Sequence, residues 1–313
     1  MSLRIVFMGT PEFAVPSLEA LINAGYDVIA VYTQPDRPKG RGKAMVPPPV
    51  KVTAQANGIP VYQPEKISRE SAEELAAMQP DLYVTAAFGQ ILSQKLLDIP
   101  KYGCINVHAS LLPKHRGSAP INHAIMQGDE VLGVTTMMTV RKLDAGDMLL
   151  KAEIPNREGL TAGEATEELS KVGAALLVDT LHALEAGTLE HIPQNEDEMT
   201  YDPMLDKSMG IIDWTKGAQE IVNLIHGLNP WPGASTAYGD GRMKIHRARV
   251  AEGSGAPGEV IVSDSKQGLV IAAGENAVKV EYLQMPGGKE MKAVDYLRGH
   301  PIAVGTVLKE MEE

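Results

Sequence analysis

One cysteine, Cys104, occurs in the whole 313-residue chain. No internal disulfide can form, and no cysteine metal cluster exists. No run of about 18 apolar residues is present, which excludes a transmembrane helix. The opening Met-Ser-Leu-Arg-Ile-Val-Phe-Met-Gly enters a strand at once and has no signal-peptide hydrophobic region. These features suit a cytoplasmic protein in a reducing, bacterial-type compartment. The chain also lacks the Gly-x-Gly-x-x-Gly dinucleotide fingerprint after its first strand, the Gly-x-x-x-x-Gly-Lys-Ser/Thr phosphate loop and the Gly-x-Ser-x-Gly elbow. No acidic or histidine metal spacing occurs, and Cys104 sits in an apolar run that reads as a buried, inert thiol. Metal catalysis and a covalent serine or cysteine route are therefore not expected. Repeats and low-complexity tracts are missing too.

Hydrophobic content of 44% and charged content of 22% are those of an ordinary soluble chain. Its length suits two domains. A formal charge of −11 argues against non-specific nucleic-acid binding, but two basic patches stand out. Arg37, Lys39, Arg41, Lys43 and Lys51 face the lone acid Asp36, and Arg242, Lys244, Arg247 and Arg249 have no acid among them. Confined patches on an acidic protein suit one polyanion at a defined place.

The pattern predicts strands at 3–8, 28–32, 61–62, 82–86, 103–108, 131–140 and 148–154, with helices at 11–23, 50–57, 70–78, 93–97 and 161–185. Thr10 reads as the cap of the first helix, with Pro11 at its first position. A β-α-β opening implies a doubly wound, mostly parallel, Rossmann-like α/β sheet in residues 1–203. Acids, Pro203 and short polar residues over 194–209 read as a linker, placed at 204–209. In 210–313, a helix at 218–226 precedes β runs at 243–248, 258–262, 269–273 and 278–283, the spacing of a small β-barrel. Asn229-Pro230-Trp231-Pro232-Gly233 reads as a rigid turn around a buried tryptophan.

The chemistry concentrates in 104–120. Asn106 and His108 are two apart on one strand, so an amide and an imidazole face the same space. The loop Ser110-Leu111-Leu112-Pro113 follows, then the breakers Gly117 and Pro120. Asn106 and His108 alone could be a hydrogen-bonded core pair, and Leu143-Asp144-Ala145-Gly146-Asp147 could be only a turn. Together they form an acyl-transfer set without a nucleophile. An attacking α-amine, with a pKa of about 7.7–8.0, needs no activated side chain. Asn106 and His108 would hold the developing oxyanion, and Asp144 would orient His108. The loop 34–43 is either solvated or orders on nucleic acid, since its glycines give mobility and its cations give phosphate affinity.

On the segments Phe-Met-Gly-Thr-Pro-Glu-Phe-Ala, Thr-Gln-Pro-Asp-Arg-Pro-Lys-Gly-Arg-Gly-Lys, Ala-Ala-Phe-Gly-Gln-Ile-Leu, Gly-Cys-Ile-Asn-Val-His-Ala-Ser-Leu-Leu-Pro, Leu-Asp-Ala-Gly-Asp-Met and Leu-Asn-Pro-Trp-Pro, the chain resembles the folate-dependent formyltransferases along its whole length, in particular those acting on methionyl-tRNA. The resemblance implies formyl transfer from 10-formyltetrahydrofolate, without a metal, to methionine on initiator tRNA, for translation initiation. It implies Asn106, His108 and Asp144 as catalytic residues. It also implies a folate pocket lined by Ser110, Leu111, Leu112 and Pro113, with Phe88, Gly89 and Gln90 nearby. Arg37, Lys39, Arg41 and Lys43 map to its tRNA-binding loop, with Arg41 deepest, and 210–313 to a barrel of oligonucleotide-binding type. A monomer is expected. The rivals are an amino-sugar-nucleotide formyltransferase, a glycinamide ribonucleotide formyltransferase and a non-catalytic RNA-binding module; the last needs no Asn106–His108–Asp144 set.

Overall fold

The structure, a computed structural model, describes residues 2–39 and 44–309. In chain order the first strands are β1 Arg4–Gly9, β2 Asp27–Tyr32, β3 Arg37–Lys39, β4 Ala44–Val46, β5 Val61–Tyr62, β6 Leu82–Ala86, β7 Cys104–His108, β8 Arg116–Gly117, β9 Val131–Met138 and β10 Met148–Pro155. The helices among them are α1 Val15–Asn23, α2 Pro49–Ala56, α3 Ile67–Glu70, α4 Ala72–Met78, α5 Gln94–Leu97, α6 Pro120–Gln127 and α7 Ala162–Ala186. Then come β11 Tyr201–Asp202, α8 Ala218–Gly227, β12 Ala234–Tyr238, β13 Gly241–Ala251, β14 Val260–Asp264, β15 Gly268–Ala272, β16 Ala277–Gln284, β17 Met291–Lys292 and α9 Ala293–Leu297.

By packing, the chain divides into two compact units. The first comprises residues 1–117, 133–154 and 166–201; the second comprises 118–132, 155–165 and 202–313. The first unit is built on a seven-stranded sheet ordered β10-β9-β7-β6-β1-β2-β5. The pairs β1–β2, β1–β6, β2–β5 and β6–β7 are parallel, and β7–β9 is antiparallel. The expected doubly wound order is thus present, with antiparallel strands added at one edge. Strands β1 and β6 are buried almost throughout because both faces of a parallel sheet are covered. The order reverses beside β1, so the carboxyl ends of β1, β6 and β7 open on the crevice where such sheets bind ligands.

Four local features differ in detail from the pattern read in the sequence. Thr10 does not cap a helix: its hydroxyl donates to the Phe88 carbonyl and accepts from the Gln34 N–H, at 3.1 and 3.2 Å. Residues Glu12–Ala14 form a 3₁₀ turn, and α1 starts only at Val15. The helix expected at 70–78 starts earlier, as α3, and is interrupted at Ser71 before α4. Pro120, expected to break the chain, opens α6, where its missing N–H costs nothing.

In the second unit, antiparallel strands ordered β12-β13-β16-β15-β14, with β17 on β16, make a six-stranded sheet. The apolar face of α8 (Ala218, Ile221, Val222 and Ile225) packs on Met243, Ile245, Leu269, Ile271, Val278 and Leu283. Each valine, leucine, isoleucine or methionine among them, removed from water, contributes about 1.5–3 kcal/mol. Trp214 is the buried tryptophan, donating to the Thr236 hydroxyl at 3.0 Å; Trp231, expected inside, is 53% exposed.

His226 at the end of α8 is buried and accepts from the Ala248 N–H at 3.4 Å. Burial, then the nearby Arg247 charge, holds its pKa below the ordinary histidine value. The folded chain therefore keeps this ring neutral, whereas the unfolded chain protonates it near pH 6.5. Stability from this site is complete above about pH 6.5 and is lost as the pH falls toward the folded-state pKa. The melting temperature should fall less steeply from pH 7 to pH 5 in His226→Gln than in the wild type. Equal slopes would remove His226 as a cause.

Candidate active site

Strand β7 carries the amide and the imidazole. Its register sets Asn106 opposite Thr85 on β6 and Met137 on β9, and His108 opposite Thr135. The Thr85 hydroxyl donates to Asn106 Oδ1 at 2.8 Å. Thr85 engages the Oδ1 end of the amide, so Nδ2 with its two protons points the other way. Nδ2 has no acceptor among the described residues. Thr85 in turn receives the Cys104 thiol at 3.9 Å. Cys104 is 1% exposed, and burial pushes its pKa up to about 11. Iodoacetamide at pH 7.5 should therefore leave the native protein unlabelled and modify one thiol per chain only in denaturant. Rapid labelling of the native protein would contradict this burial.

His108 is 7% exposed, with Nδ1 3.8 Å from Asp144 Oδ1. This is an ion-pair distance, longer than a hydrogen bond. Nε2 lies 3.0 Å from the His115 carbonyl, which can only accept, so Nε2 carries a proton in this contact. Asp144 is 13% exposed, and its Oδ2 accepts from the Gly117 N–H at 2.9 Å, which leaves Oδ1 facing the imidazole. Asp144 adopts φ 47°, a left-handed conformation that aspartate tolerates better than most residues. The turn closes only because residue 146 is glycine. A Cβ there would lie 1.8 Å from the Met138 carbonyl oxygen.

The apolar loop after β7 is sewn to β9. The Thr135 hydroxyl donates to the Ser110 carbonyl at 2.7 Å and accepts from the Leu112 N–H at 3.2 Å. The Ser110 hydroxyl donates to the Lys114 carbonyl at 2.7 Å, and Lys151 donates to the Leu112 carbonyl. Leu112 is fully buried with Met137 and Met148, whereas Leu111 and Pro113 are half-buried. Leu111 lies over Gly133, where a Cβ would meet its Cδ2 at 2.3 Å. Phe88 is buried and Gly89 exposed, with φ 80°. Gln90 braces the loop, accepting from the Ile67 N–H and donating to the Pro64 carbonyl at 2.8 and 2.9 Å.

Residues outside the expected set also converge here. Arg116, 2% exposed, reaches Gln194 and Glu196, and Thr200 takes the His115 N–H at 2.7 Å. The stretch read as a linker over 194–209 therefore begins with residues that support the site. Hydrogen bonds from Arg116 and Lys142 hold Glu196 down to a pKa of about 2.

The described part of the basic loop carries backbone pairing. Strands β3 and β4 pair antiparallel, setting Arg37 opposite Val46. Arg37 is exposed, with Glu65 at 3.7 Å. Lys51 is engaged by Asp36 at 2.9 Å, which lowers the Asp36 pKa. Arg41 and Lys43, like Gly40, Gly42 and the side chain of Lys39, lie outside the described residues. No cluster of three or more metal-ligating side chains occurs among the described residues. Among them, too, no helix is long and apolar enough to cross a membrane.

Two family models match the chain: Formyl transferase over residues 3–181, and Formyl transferase, C-terminal domain, over 204–301. The chain is 51% identical over 308 residues to the methionyl-tRNA formyltransferase of Geotalea uraniireducens, covering 98% of each. To that of Acetivibrio thermocellus it is 49% identical over 310 residues, covering 98% of this chain and 99% of the relative. Among solved structures, an N-formyltransferase from Helicobacter canadensis is similar with a TM-score of 0.67 at 17% identity, over 89% of this chain and 99% of that one. HypX from Aquifex aeolicus has a TM-score of 0.65 at 17% identity; the match covers 95% of this chain and only 47% of HypX. At such identities the structural likeness concerns the fold alone.

Proposed function

This chain belongs to the methionyl-tRNA formyltransferase family, and on that premise we propose that it transfers the formyl group of 10-formyltetrahydrofolate to the amino group of methionine on initiator tRNA. The observation that carries the catalytic assignment is the Asn106 amide, aimed by Thr85, on the same strand face as an imidazole 3.8 Å from Asp144. A new C–N bond forms between the methionyl nitrogen and the formyl carbon, the bond to folate N10 breaks, and a proton passes from the amine to N10. Asn106 Nδ2 donates to the formyl oxygen as it gains charge. His108 Nε2–H, now on the His115 carbonyl, exchanges that partner for the same oxygen. Asp144 keeps the ring in place through Nδ1. One preorganised donor of this kind is worth about 2.7–4 kcal/mol.

The residues present fit a folate, which when bound supplies the formyl carbon. Ala87 and Gly89 are exposed just past the carboxyl end of β6, at the crevice, where their backbone groups would meet the polar edge of a flat ring. In this reading Phe88, Gly89 and Gln90 hold that edge. Ser110, Leu111 and Pro113 form the facing wall, with Leu112 bracing it from below.

Residues 1–203 serve as catalytic domain, 204–209 as linker and 210–313 as tRNA-binding domain of a cytoplasmic monomer. Arg37, Lys39, Arg41 and Lys43 meet the acceptor end. Each phosphate neutralised on a duplex steepens the dependence of log affinity on log salt by about 0.9. Arg37→Ala with Lys39→Ala should flatten the slope for methionyl-tRNA by about 1–2. An unchanged slope would remove these residues from phosphate contact.

A further inference from the structure

The loop after β7, which meets His108, and the turn holding Asp144 are tied by a second, partly buried contact. Arg116 Nε and Nη2 both donate to Gln194 Oε1, at 3.0 and 2.8 Å. A guanidinium has no acceptor, so this fork dictates which end of the Gln194 amide is oxygen. The amide nitrogen faces the opposite way and donates to the carbonyls of Asp144 and Gly146, each at 2.8 Å. Arg116 is itself anchored by Glu196 at 3.0 Å, and Glu196 also takes Lys142. The main chain on either side of Arg116 touches the pair directly. The His115 carbonyl receives His108 Nε2, and the Gly117 N–H reaches Asp144 Oδ2. A non-glycine residue at φ 47° persists only where its surroundings hold it, and Gln194 grips that turn at two carbonyls.

We propose that Arg116 and Gln194 are positioning residues for the reaction: their fork sets the turn that aims Asp144 at His108. The inference rests on the catalytic reading above. Neither residue contacts the reacting atoms; both act through the imidazole and the carboxylate.

Gln194→Glu keeps an oxygen for Arg116 and removes both donors to the turn. It should lower kcat by about 10–100-fold, since displacements near 1 Å can cost that much. KM for methionyl-tRNA and for 10-formyltetrahydrofolate should stay within about twofold. The melting temperature should fall, because the new carboxylate oxygen faces two carbonyls, so kcat is read at a temperature where the variant is fully folded. Arg116→Lys keeps the charge but loses the fork, so it should lower kcat similarly. The double variant should lose less than the product of the two effects, because one tie is cut only once. Ring ¹⁵N NMR gives a readout independent of turnover: the His108 signals, assigned by their absence in His108→Gln, should shift in Gln194→Glu. Unmoved His108 signals, or a kcat loss that merely tracks the unfolded fraction, would overturn the proposal. Normal turnover in His108→Gln would instead sink the catalytic reading, while the ring signals still decide whether Gln194 positions His108.

Discussion

Replacing Asn106 by alanine is expected to lower kcat for formylation about 10²–10³-fold while leaving folate affinity nearly unchanged. The loss is large because the amide is preorganised. Thr85 occupies Oδ1 and is itself held beside Cys104, so both Nδ2 protons face outward before substrate arrives. A donor already aimed at the oxygen that gains charge needs no reorganisation in the transition state, and its removal shows in kcat rather than in binding. His108→Ala should show a loss of the same order. Thr85→Val leaves the amide in place but unaimed, so a smaller loss, about tenfold, is expected there. Stopped-flow formylation with equilibrium folate titration separates the cases. Near-normal kcat in Asn106→Ala would remove the amide from the reaction.

Gly146→Ala is expected to destabilise the chain by about 2–4 kcal/mol and to lower kcat at least about tenfold. The added methyl would sit 1.8 Å from the Met138 carbonyl oxygen and 2.8 Å from its carbon. Both atoms belong to backbone at the end of β9, so no side-chain rotation relieves the clash and the turn must open. Asp144 lies two residues earlier in that turn, and the Gly146 carbonyl is one of the two that Gln194 holds. Stability and catalysis should therefore fall together. The urea midpoint measures the first, and kcat at a temperature where the variant is folded measures the second. A stability change under about 0.5 kcal/mol would show that the turn accommodates the methyl without strain.

The sheet was legible because its signals are local. Apolar runs at β1, β2, β6 and β7 separated by helical spacing imply parallel crossovers, and the two-residue spacing of Asn106 and His108 fixes a common face. What the sequence hid depends on partners far along the chain. Thr10-Pro11-Glu12 has the chemistry of a helix start, yet the Thr10 hydroxyl is claimed by Phe88 and Gln34, so the cap does not form. Thr85 carries no motif; only the register of β6 against β7 sets it beside Asn106. The acid-rich stretch from Gln194 resembles a linker by composition, but its first residue reaches Asp144 across 50 positions. Trp231 lies 53% exposed although its turn reads as one around a buried tryptophan, because flanking prolines describe the rigidity of a turn and not which way its side chain faces.

The most direct test is the choice of amine. The purified chain is given 10-formyltetrahydrofolate and, in turn, methionyl-tRNA, an amino sugar nucleotide and glycinamide ribonucleotide, and the formylated product is identified by mass. The account predicts formyl on the methionyl nitrogen alone, with its initial rate lowered about 10²–10³-fold in Asn106→Ala. Formyl on the sugar amine instead, or formylmethionyl-tRNA made equally well without the Asn106 amide, would contradict it.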